Sequence, residues 1–458
     1  MKPSPELLDL TVDRPVHGGR CVAYPDGSEA GVANGADVGS ERAARRRVVL
    51  VAGAIPGERV RARVEVRKGV AFGDTVAVLA ADGQRVEPPA HPGLDLGHVA
   101  YARQLVWKRD VLEDALRRSG LEAPVEGDGG GLDVVPSPAT WGYRNAIQPA
   151  VGELGGHGPA GGDPAEATAL GYRRPGGHDV VALEADPTAN EACRTAWRAL
   201  EATRLPRGVV EVSLRGNDAG EALATFVATT EARAALDAAQ ALVAAGVHGV
   251  GLAPYDARGR FRGGAQRLAG ARTLLQRYGD VELTLTATAF AQPNPAAAGA
   301  LFRELAAWAP AARHALDLYA GSGVIGMHLA PRVDRVTCLE IDRGAVDRGR
   351  ADAARLGLTN VQHVRLDVRD VQVPDDVDLI VVDPPRAGLA AATRAAIAGS
   401  RARTLLYVAC DVATWARDVA DLTRVGFRLD RLRPYDFQPH THHLEIASRL
   451  VRGGSAGR

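Results

Sequence analysis

Ala315-Leu316-Asp317-Leu318-Tyr319-Ala320-Gly321-Ser322-Gly323-Val324-Ile325-Gly326 joins an apolar, strand-like run to a glycine loop and then to a helix pattern. Glycine tolerates the tight turn such a loop needs and lets a ligand come close to main-chain amides. Outward from this unit, strand-like runs recur at 336–341, 361–366, 378–382 and 404–408, with helical stretches between them and a closing pair near 427–432 and 445–450. Strands that alternate with helices specify a doubly wound, mainly parallel sheet. Residues 286–458 are therefore expected to form an α/β, Rossmann-like domain.

In such a sheet the ligand sits at the C-terminal ends of the strands. Gly321 and Gly323 alone are a weak signal; Glu340, 19 residues after Gly321 at the end of the next strand, strengthens it. A carboxylate there can accept hydrogen bonds from both hydroxyls of a ribose. NAD remains possible on those grounds, but no diphosphate cradle is evident. S-adenosylmethionine carries no phosphates and is the favoured cofactor. Asp367, after the third strand, is placed to meet the adenine amino group, and Asp317 is a further polar candidate. Asp383-Pro384-Pro385-Arg386-Ala387-Gly388 follows another apolar strand and offers a carboxylate and rigid carbonyls that can grip a planar, nitrogen-bearing base; simple turn chemistry is the plain alternative. The run Leu405-Leu406-Tyr407-Val408-Ala409-Cys410 ends on a thiol, and Glu445, 35 residues on, supplies a carboxylate that can act as a base beside it. Cys338 falls inside an expected strand and reads as core.

Composition narrows the rest. Over 458 residues, Lys+Arg and Asp+Glu are 55 each, so no global field draws the chain to nucleic acid or membrane, and any such contact must be local. Lysine occurs only at Lys2, Lys68 and Lys108, so arginine counts reflect composition more than function. Cys21, Cys193, Cys338 and Cys410 lie far apart and signal neither a disulfide framework nor a thiolate metal cage. His440, His442 and His443 with Glu445 do not place three metal ligands on one face. Without an apolar run of about 18 residues, a soluble, cytoplasmic monomer is expected.

Residues 1–88 read as short β-like runs, Val48 to Ala54 and Gly57 to Val66 the clearest, that would close as a small oligonucleotide-binding-type β-barrel. A polar stretch ending in Arg42, Arg45, Arg46 and Arg47 is either a solvated loop or one that tracks phosphates. Residues 89–285 read as a central α+β domain, with a helix over 99–118, strands at 142–149 and 209–214, and glycine-rich tips at 127–131 and 152–162.

Asp383 to Gly388, the run ending at Cys410, and Asp436 to Glu445 with Pro439-His440-Thr441-His442-His443-Leu444-Glu445 together resemble the RNA uracil-C5 (5-methyluridine) methyltransferase family, which acts on tRNA and ribosomal RNA. Ala54-Ile55-Pro56-Gly57-Glu58-Arg59-Val60 is similar to the TRAM RNA-binding module that precedes the catalytic region in many members, and Phe290-Ala291-Gln292-Pro293-Asn294 resembles the segment that opens the methyltransferase domain. The resemblance covers nearly the whole chain. It implies that Cys410 adds to carbon 6 of uracil and that Glu445 removes the proton from carbon 5. It also implies that Gln292, Tyr319, Glu340, Asp367 and Asp383 contact the S-adenosylmethionine or hold the target ring, with a structured RNA presenting its uridine.

Three departures stand out. Members usually read Ser-Cys-Asn-Pro around the nucleophile, where this chain has Ala409-Cys410-Asp411-Val412; an aspartate beside the thiol is expected to raise its pKa and slow attack. Asp436-Phe437-Gln438-Pro439 replaces a common Asp-x-Phe-Pro. The stretch His91 to His98 lacks the cysteines that bind an iron-sulfur cluster in some members, so no cluster is expected. Rival readings are a base-amino methyltransferase, which needs no thiol, and a non-catalytic RNA-binding or folding factor.

Overall fold

The structure, a computed structural model, describes residues 5–27, 48–124, 132–153, 168–174, 177, 179–256, 261 and 264–453. The arginine stretch at 42–47, the 127–131 tip and most of the 152–162 tip lie outside them.

Two compact units emerge. The first comprises Met1–Pro89, Leu94–Ala115 and His440–His443; the second comprises Ala90–Gly93, Leu116–Pro439 and Leu444–Arg458. Leu94–Ala115, at the start of the stretch that the sequence reading assigned to the central region, thus groups with the barrel.

In the first unit β1 (Glu6–Val16), β2 (Arg20–Pro25), β3 (Val49–Ala52), β4 (Arg59–Arg67) and β5 (Val70–Ala80) close a barrel in the order β1-β2-β3-β5-β4. The alternation in β4 turns Val60, Ala62 and Val64 inward and leaves arginines outside, the period-2 pattern of a half-solvated strand. Helix α1 (Tyr101–Ser119) follows, and its Trp107 joins the barrel core. The His440–His443 segment is fastened within this unit: Gln104 Oε1 accepts from the His440 amide at 2.7 Å, and Asp95 accepts from the His442 amide and pairs with its ring.

The second unit holds two large sheets. The first uses β6 (Ala146–Ile147), β7 (Ala150–Glu153), β8 (Thr168–Arg173), β9 (Val180–Ala182), β10 (Val209–Gly216), β11 (Ala222–Ala228), β12 (Gly249–Pro254) and β13 (Gln266–Gly270), with α2 (Glu191–Glu201) and α3 (Ala232–Ala244) packed on it. The expected strand at 142–149 is only β6, because the residues before it pair with the loop ahead of α2: the Arg144 amide donates to the Thr188 carbonyl at 2.7 Å. Asn190 caps α2 by accepting from the Cys193 amide, and the apolar face Ala192, Cys193, Ala196, Trp197 and Leu200 is buried.

The hairpin β14 (Leu274–Tyr278)–β15 (Val281–Leu285) and helix α4 (Pro295–Trp308) lead to the second sheet. Its strands are β16 (Ala312–Leu318), β17 (Val333–Glu340), β18 (Val361–Arg365), β19 (Leu379–Val382), β20 (Thr404–Ala409), β21 (Phe427–Tyr435) and β22 (Glu445–Arg452), joined by α5 (Val324–Leu329), α6 (Arg343–Arg355), α7 (Ala391–Gly399) and α8 (Val412–Arg424). The spatial order is β18-β17-β16-β19-β20-β22-β21; the first five strands run parallel, and β22 is antiparallel to both neighbours. Strand order reverses between β16 and β19, which opens the crevice where doubly wound sheets take their ligands. Among the described residues, no helix is long and apolar enough to cross a membrane.

Candidate active site

A cavity of about 1180 Å³ opens over the C-terminal ends of β16, β17 and β19. Of the nine residues singled out from sequence, Gln292, Tyr319, Gly321, Glu340, Asp383, Cys410 and Glu445 line it.

The glycine loop forms its floor. Tyr319 (φ 61°) and Gly321 (φ 57°) are both left-handed; strain held in a tyrosine at a cavity wall is a mark of functional loops. Space beside the Gly321 Cα is open. Glu340 braces the loop, its two oxygens accepting from the Gly321 amide at 3.0 Å and the Asp342 amide at 2.8 Å, which leaves acceptor capacity on each oxygen. Gly321, Gly323 and Gly326 have the Gly-x-Gly-x-x-Gly spacing, so spacing alone does not separate a dinucleotide from S-adenosylmethionine.

Two of the nine sit elsewhere. Gly323 is required by packing: its φ is +80°, and a Cβ there would lie 2.3 Å from His363 Nε2. Asp367 is not among the residues that line the cavity; it caps a short 3-10 turn through the Arg369 amide at 2.9 Å and pairs with the Arg369 guanidinium, which pulls its carboxyl down to about 2.

Cys410 and Glu445 are brought together by sheet register. Ala409 pairs with Ile446 across the antiparallel β20–β22 ladder, so the next step along β20 sets Cys410 opposite Glu445. Most of the 34 intervening residues are spent on α8 and β21. Glu445 is buried with Oε2 unpartnered, and burial, reinforced by Asp383 against the opposing Arg386, holds its carboxyl well above the usual range. Burial likewise pushes Asp383 up to about 7, and pushes the half-buried Cys410 thiol up to about 12, with the Glu445 and Asp383 carboxylates adding and Arg386 opposing.

Asp411, next in the chain to the thiol, is half-buried. It caps α8, accepting from the Thr414 amide at 2.9 Å and the Thr414 hydroxyl at 3.0 Å. Asn and Asp are equally good N-caps, and proline is favoured at the next position, so Asp411-Val412 fills the two helix-start positions where members read Asn-Pro.

The Asp383-Pro384-Pro385 loop is fixed from behind. Buried Asp418 accepts from the Leu389 amide at 2.7 Å, from Arg394 at 3.0 Å and from the Tyr407 hydroxyl at 2.8 Å. Gly388 (φ +73°) must be glycine, because a Cβ would fall 2.5 Å from Asp418 Oδ2.

Sequence reasoning missed the suspension of the Phe290–Gln292 loop. Ser213 and Arg215, on one face of β10, donate to the Ala287 and Ala289 carbonyls at 3.1 and 2.5 Å, and the Tyr278 hydroxyl donates to the Gln292 carbonyl at 2.8 Å. This presents Phe290, 80% exposed, at the cavity wall as a flat apolar surface. A lone phenylalanine between alanines in an otherwise polar loop was the available signal.

The donor set fits a cationic ligand. Asp317, Glu340, Asp383 and Glu445 line the cavity, and the buried Asp317 Oδ1, Ser322 Oγ and Glu445 Oε2 have no hydrogen-bond partner. A sulfonium and an ammonium group would supply the missing charge and donors. Among the described residues no cluster of His, Cys, Asp and Glu suits a metal ion.

Two consequences are measurable. Asp317 is buried, and burial lifts its carboxyl from the usual 3.8 to about 7. The folded chain therefore keeps a proton that the unfolded chain releases, and native stability contributed at this site is lost as pH rises from about 4 through 7. Asp317→Asn should melt higher than the parent, by a margin that starts near zero at pH 4 and reaches roughly 1–4 kcal/mol of stability by pH 8, at about 1.4 kcal/mol per pKa unit; a margin independent of pH in thermal melts refutes it. Cys410, in turn, should alkylate with iodoacetamide about tenfold faster per pH unit from pH 7 to 10, since only the thiolate reacts. A plateau near the ordinary thiol pKa of about 8.5, mapped to this residue by mass spectrometry, contradicts the assigned environment.

A reversed strand closing a parallel sheet, with the ligand crevice at its switch point and an acidic wall, defines an S-adenosylmethionine-dependent methyltransferase. Residues 277–452 match the profile of the tRNA (uracil-5-)-methyltransferase family. An RNA methyltransferase of Thermosynechococcus vestitus is 31% identical over 438 residues, spanning 88% of this chain and 93% of that protein. The 23S rRNA (uracil(1939)-C(5))-methyltransferase of Chromohalobacter salexigens is 31% identical over 467 residues, spanning 98% and 90%. The crystal structure of Pyrococcus abyssi tRNA (uracil-54, C5)-methyltransferase in complex with S-adenosyl-L-homocysteine shares the fold, with TM-score 0.74 at 22% identity over 96% of this chain and 99% of that one. This chain belongs to the S-adenosylmethionine-dependent RNA (uracil-5) methyltransferase family.

Proposed function

We propose that this enzyme methylates carbon 5 of a uridine in 23S ribosomal RNA through a transient bond between Cys410 and carbon 6 of the ring. The observation that carries the chemistry is the β20–β22 register, which sets thiol and carboxyl side by side. The near full-length likeness to the Chromohalobacter enzyme supports ribosomal RNA as the substrate.

Carbon 5 of uracil is a weak nucleophile. When the Cys410 thiolate adds to carbon 6, the electron pair of the ring double bond passes to carbon 5 and the 4-carbonyl oxygen, which makes carbon 5 reactive. S-adenosylmethionine, when bound, supplies an electrophilic sulfonium methyl group. Once carbon 5 carries the methyl, ionised Glu445 takes the carbon 5 proton, the double bond re-forms and the sulfur leaves as thiolate. A carboxyl whose pKa is raised by burial is the stronger base in that step. Gln292, Tyr319, Gly321 and Glu340 would hold the cofactor, with Asp383 and Phe290 against the target base. Asp317 would face the cationic end.

The rival amino-group chemistry has no role for Cys410, and a purely RNA-binding factor has none for the carboxyl wall. We also retain the three-part division at 88 and 285, with the barrel as a TRAM-type RNA-binding module. The test is transfer of labelled methyl groups to unmodified transcripts of 23S rRNA and of tRNA, followed by nucleoside analysis. The expected product is 5-methyluridine in the 23S transcript; label confined to tRNA would refute the substrate, and label on an exocyclic nitrogen would refute the chemistry.

A further inference from the structure

From Glu211 onward β10 alternates polar and apolar residues, with Glu211, Ser213 and Arg215 on one face and Val212 and Leu214 on the other. Such alternation is the pattern of a strand with one face in water, yet all three polar residues are buried, Arg215 to 4% exposure. Val212 and Leu214 join the apolar core shared with α2 and α3. The polar face is covered as well, so its side chains must find partners inside the protein. Glu211 accepts from Arg173 at 2.7 Å and from Gln148 at 2.9 Å. Ser213 and Arg215 instead donate to the main chain of the loop that carries Phe290. Arg215 does so with its Nε and Nη1 buried and without a hydrogen-bond partner. A buried guanidinium so sparsely bonded is costly, and an apolar side chain of similar length would fill the space without that penalty.

The loop is what this arrangement orders. Phe290 is 80% exposed, so packing does not hold its ring, and the peptide planes on either side set its place. Those planes are tied at both ends. The Ala287 and Ala289 carbonyls accept from Ser213 and Arg215, and beyond Phe290 the Gln292 and Pro293 carbonyls accept from the Tyr278 hydroxyl and the Asn145 amide, each at 2.8 Å. Ser213 and Arg215 thus govern the approach to Phe290, while Gln292 keeps anchors of its own. A charged donor holds a carbonyl more firmly than a neutral one, which gives Arg215 the larger share. Neither Ser213 nor Arg215 lines the cavity.

We propose that Ser213 and Arg215 are positioning residues for methyl transfer: by holding the Ala287 and Ala289 carbonyls they aim Phe290 at the target ring, and they act on the reaction through that side chain alone. This rests on the reading above, in which the target is a uridine with Phe290 against it. A displacement of about 1 Å at a positioning group can cost about 10²-fold in rate, even when the substituted residue is remote from the chemistry.

The test uses the full chain and the unmodified 23S rRNA transcript. Arg215→Met keeps much of the side chain's length and removes a buried charge, so the fold should survive. It should lower kcat/KM for RNA about tenfold and leave the Kd for S-adenosylmethionine unchanged, because Gln292 is anchored separately. Arg215→Lys, which retains a charged donor, should recover most of the loss. Phe290→Ala should lower kcat/KM for RNA roughly ten- to a hundredfold, the range for losing one stacking partner. The deciding comparison is the pair: in a Phe290→Ala background, Arg215→Met should cost less than about twofold more, since the group it aims is gone. A further tenfold loss there overturns the positioning role, and so does an unchanged kcat/KM in Arg215→Met alone. Should Arg215→Met melt below the assay temperature, Ser213→Ala, which removes one neutral hydrogen bond, takes its place in the same cycle, with about a threefold loss expected alone and none added to Phe290→Ala; additive losses overturn the role there too. If the parent chain methylates no transcript, the uridine reading fails and the positioning role with it; a methylating parent with additive losses sinks the positioning role alone.

Discussion

Cys410→Ala should lower methyl transfer by at least about 10⁴-fold, equivalent to roughly 5.5 kcal/mol of transition-state stabilisation, while donor binding and RNA binding persist. The magnitude follows from what the thiolate does: without addition at carbon 6 no other group in the cavity makes carbon 5 nucleophilic, and the reaction reverts to an unactivated ring. Cys410 is the half-buried cysteine, the other three being buried away from solvent, so no neighbouring thiol is available to substitute. The thiol is also held at about 12 by burial and by the Glu445 and Asp383 carboxylates, so turnover in the parent should climb with pH on the alkaline side of neutrality. Serine at the same position should be nearly as inactive as alanine, because its hydroxyl is a far poorer nucleophile. Retention of more than a tenth of the parent rate by Cys410→Ala, measured in single-turnover assays, would remove the covalent mechanism and revive amino-group chemistry.

Glu445→Gln should have the second largest effect and a different signature. It leaves addition and methyl transfer possible but removes the base, so the methylated ring stays bonded to sulfur. Turnover should fall by roughly 10²–10⁴-fold, the usual range for general base catalysis, and a protein–RNA adduct stable to denaturing gels should accumulate on Cys410. Glutamine preserves the shape of the buried side chain and its place in the β21–β22 ladder opposite Tyr435, and it relieves a buried carboxyl of its desolvation cost, so stability should not fall. The two variants are mutually diagnostic: the adduct must vanish in the double variant. Adduct-free loss of activity in Glu445→Gln would mean that Glu445 serves addition rather than elimination.

Much of this was legible in the order of residues. The run from Ala315 to Gly326, followed at regular intervals by apolar runs and helical stretches, encodes a parallel doubly wound sheet because a buried strand must be apolar throughout and its crossover helix amphipathic. The same pattern located Glu340 at a strand end. Asp411 turns its side chain into the α8 amides, where an N-cap is worth about 1 kcal/mol, a direction that the order of residues did not indicate. Asp367 likewise takes a partner two residues on, Arg369, that its place after the third strand did not indicate. The central sheet was largely invisible because its strands pair over long sequence separations, with β11 parallel to β12 across α3 and β10 meeting β6 and β7.

By itself the sequence determined the chemistry-bearing residue types, the sheet that carries them and the family to which they belong, since these rest on local periodicity and on motifs only a few residues long. Tertiary structure alone decided that Glu445 faces Cys410 and that Phe290 hangs from β10 through Ser213 and Arg215. Those relations depend on strand register and on packing between segments tens of residues apart, and a shift of one residue in a ladder would have sent the same side chains to the opposite face.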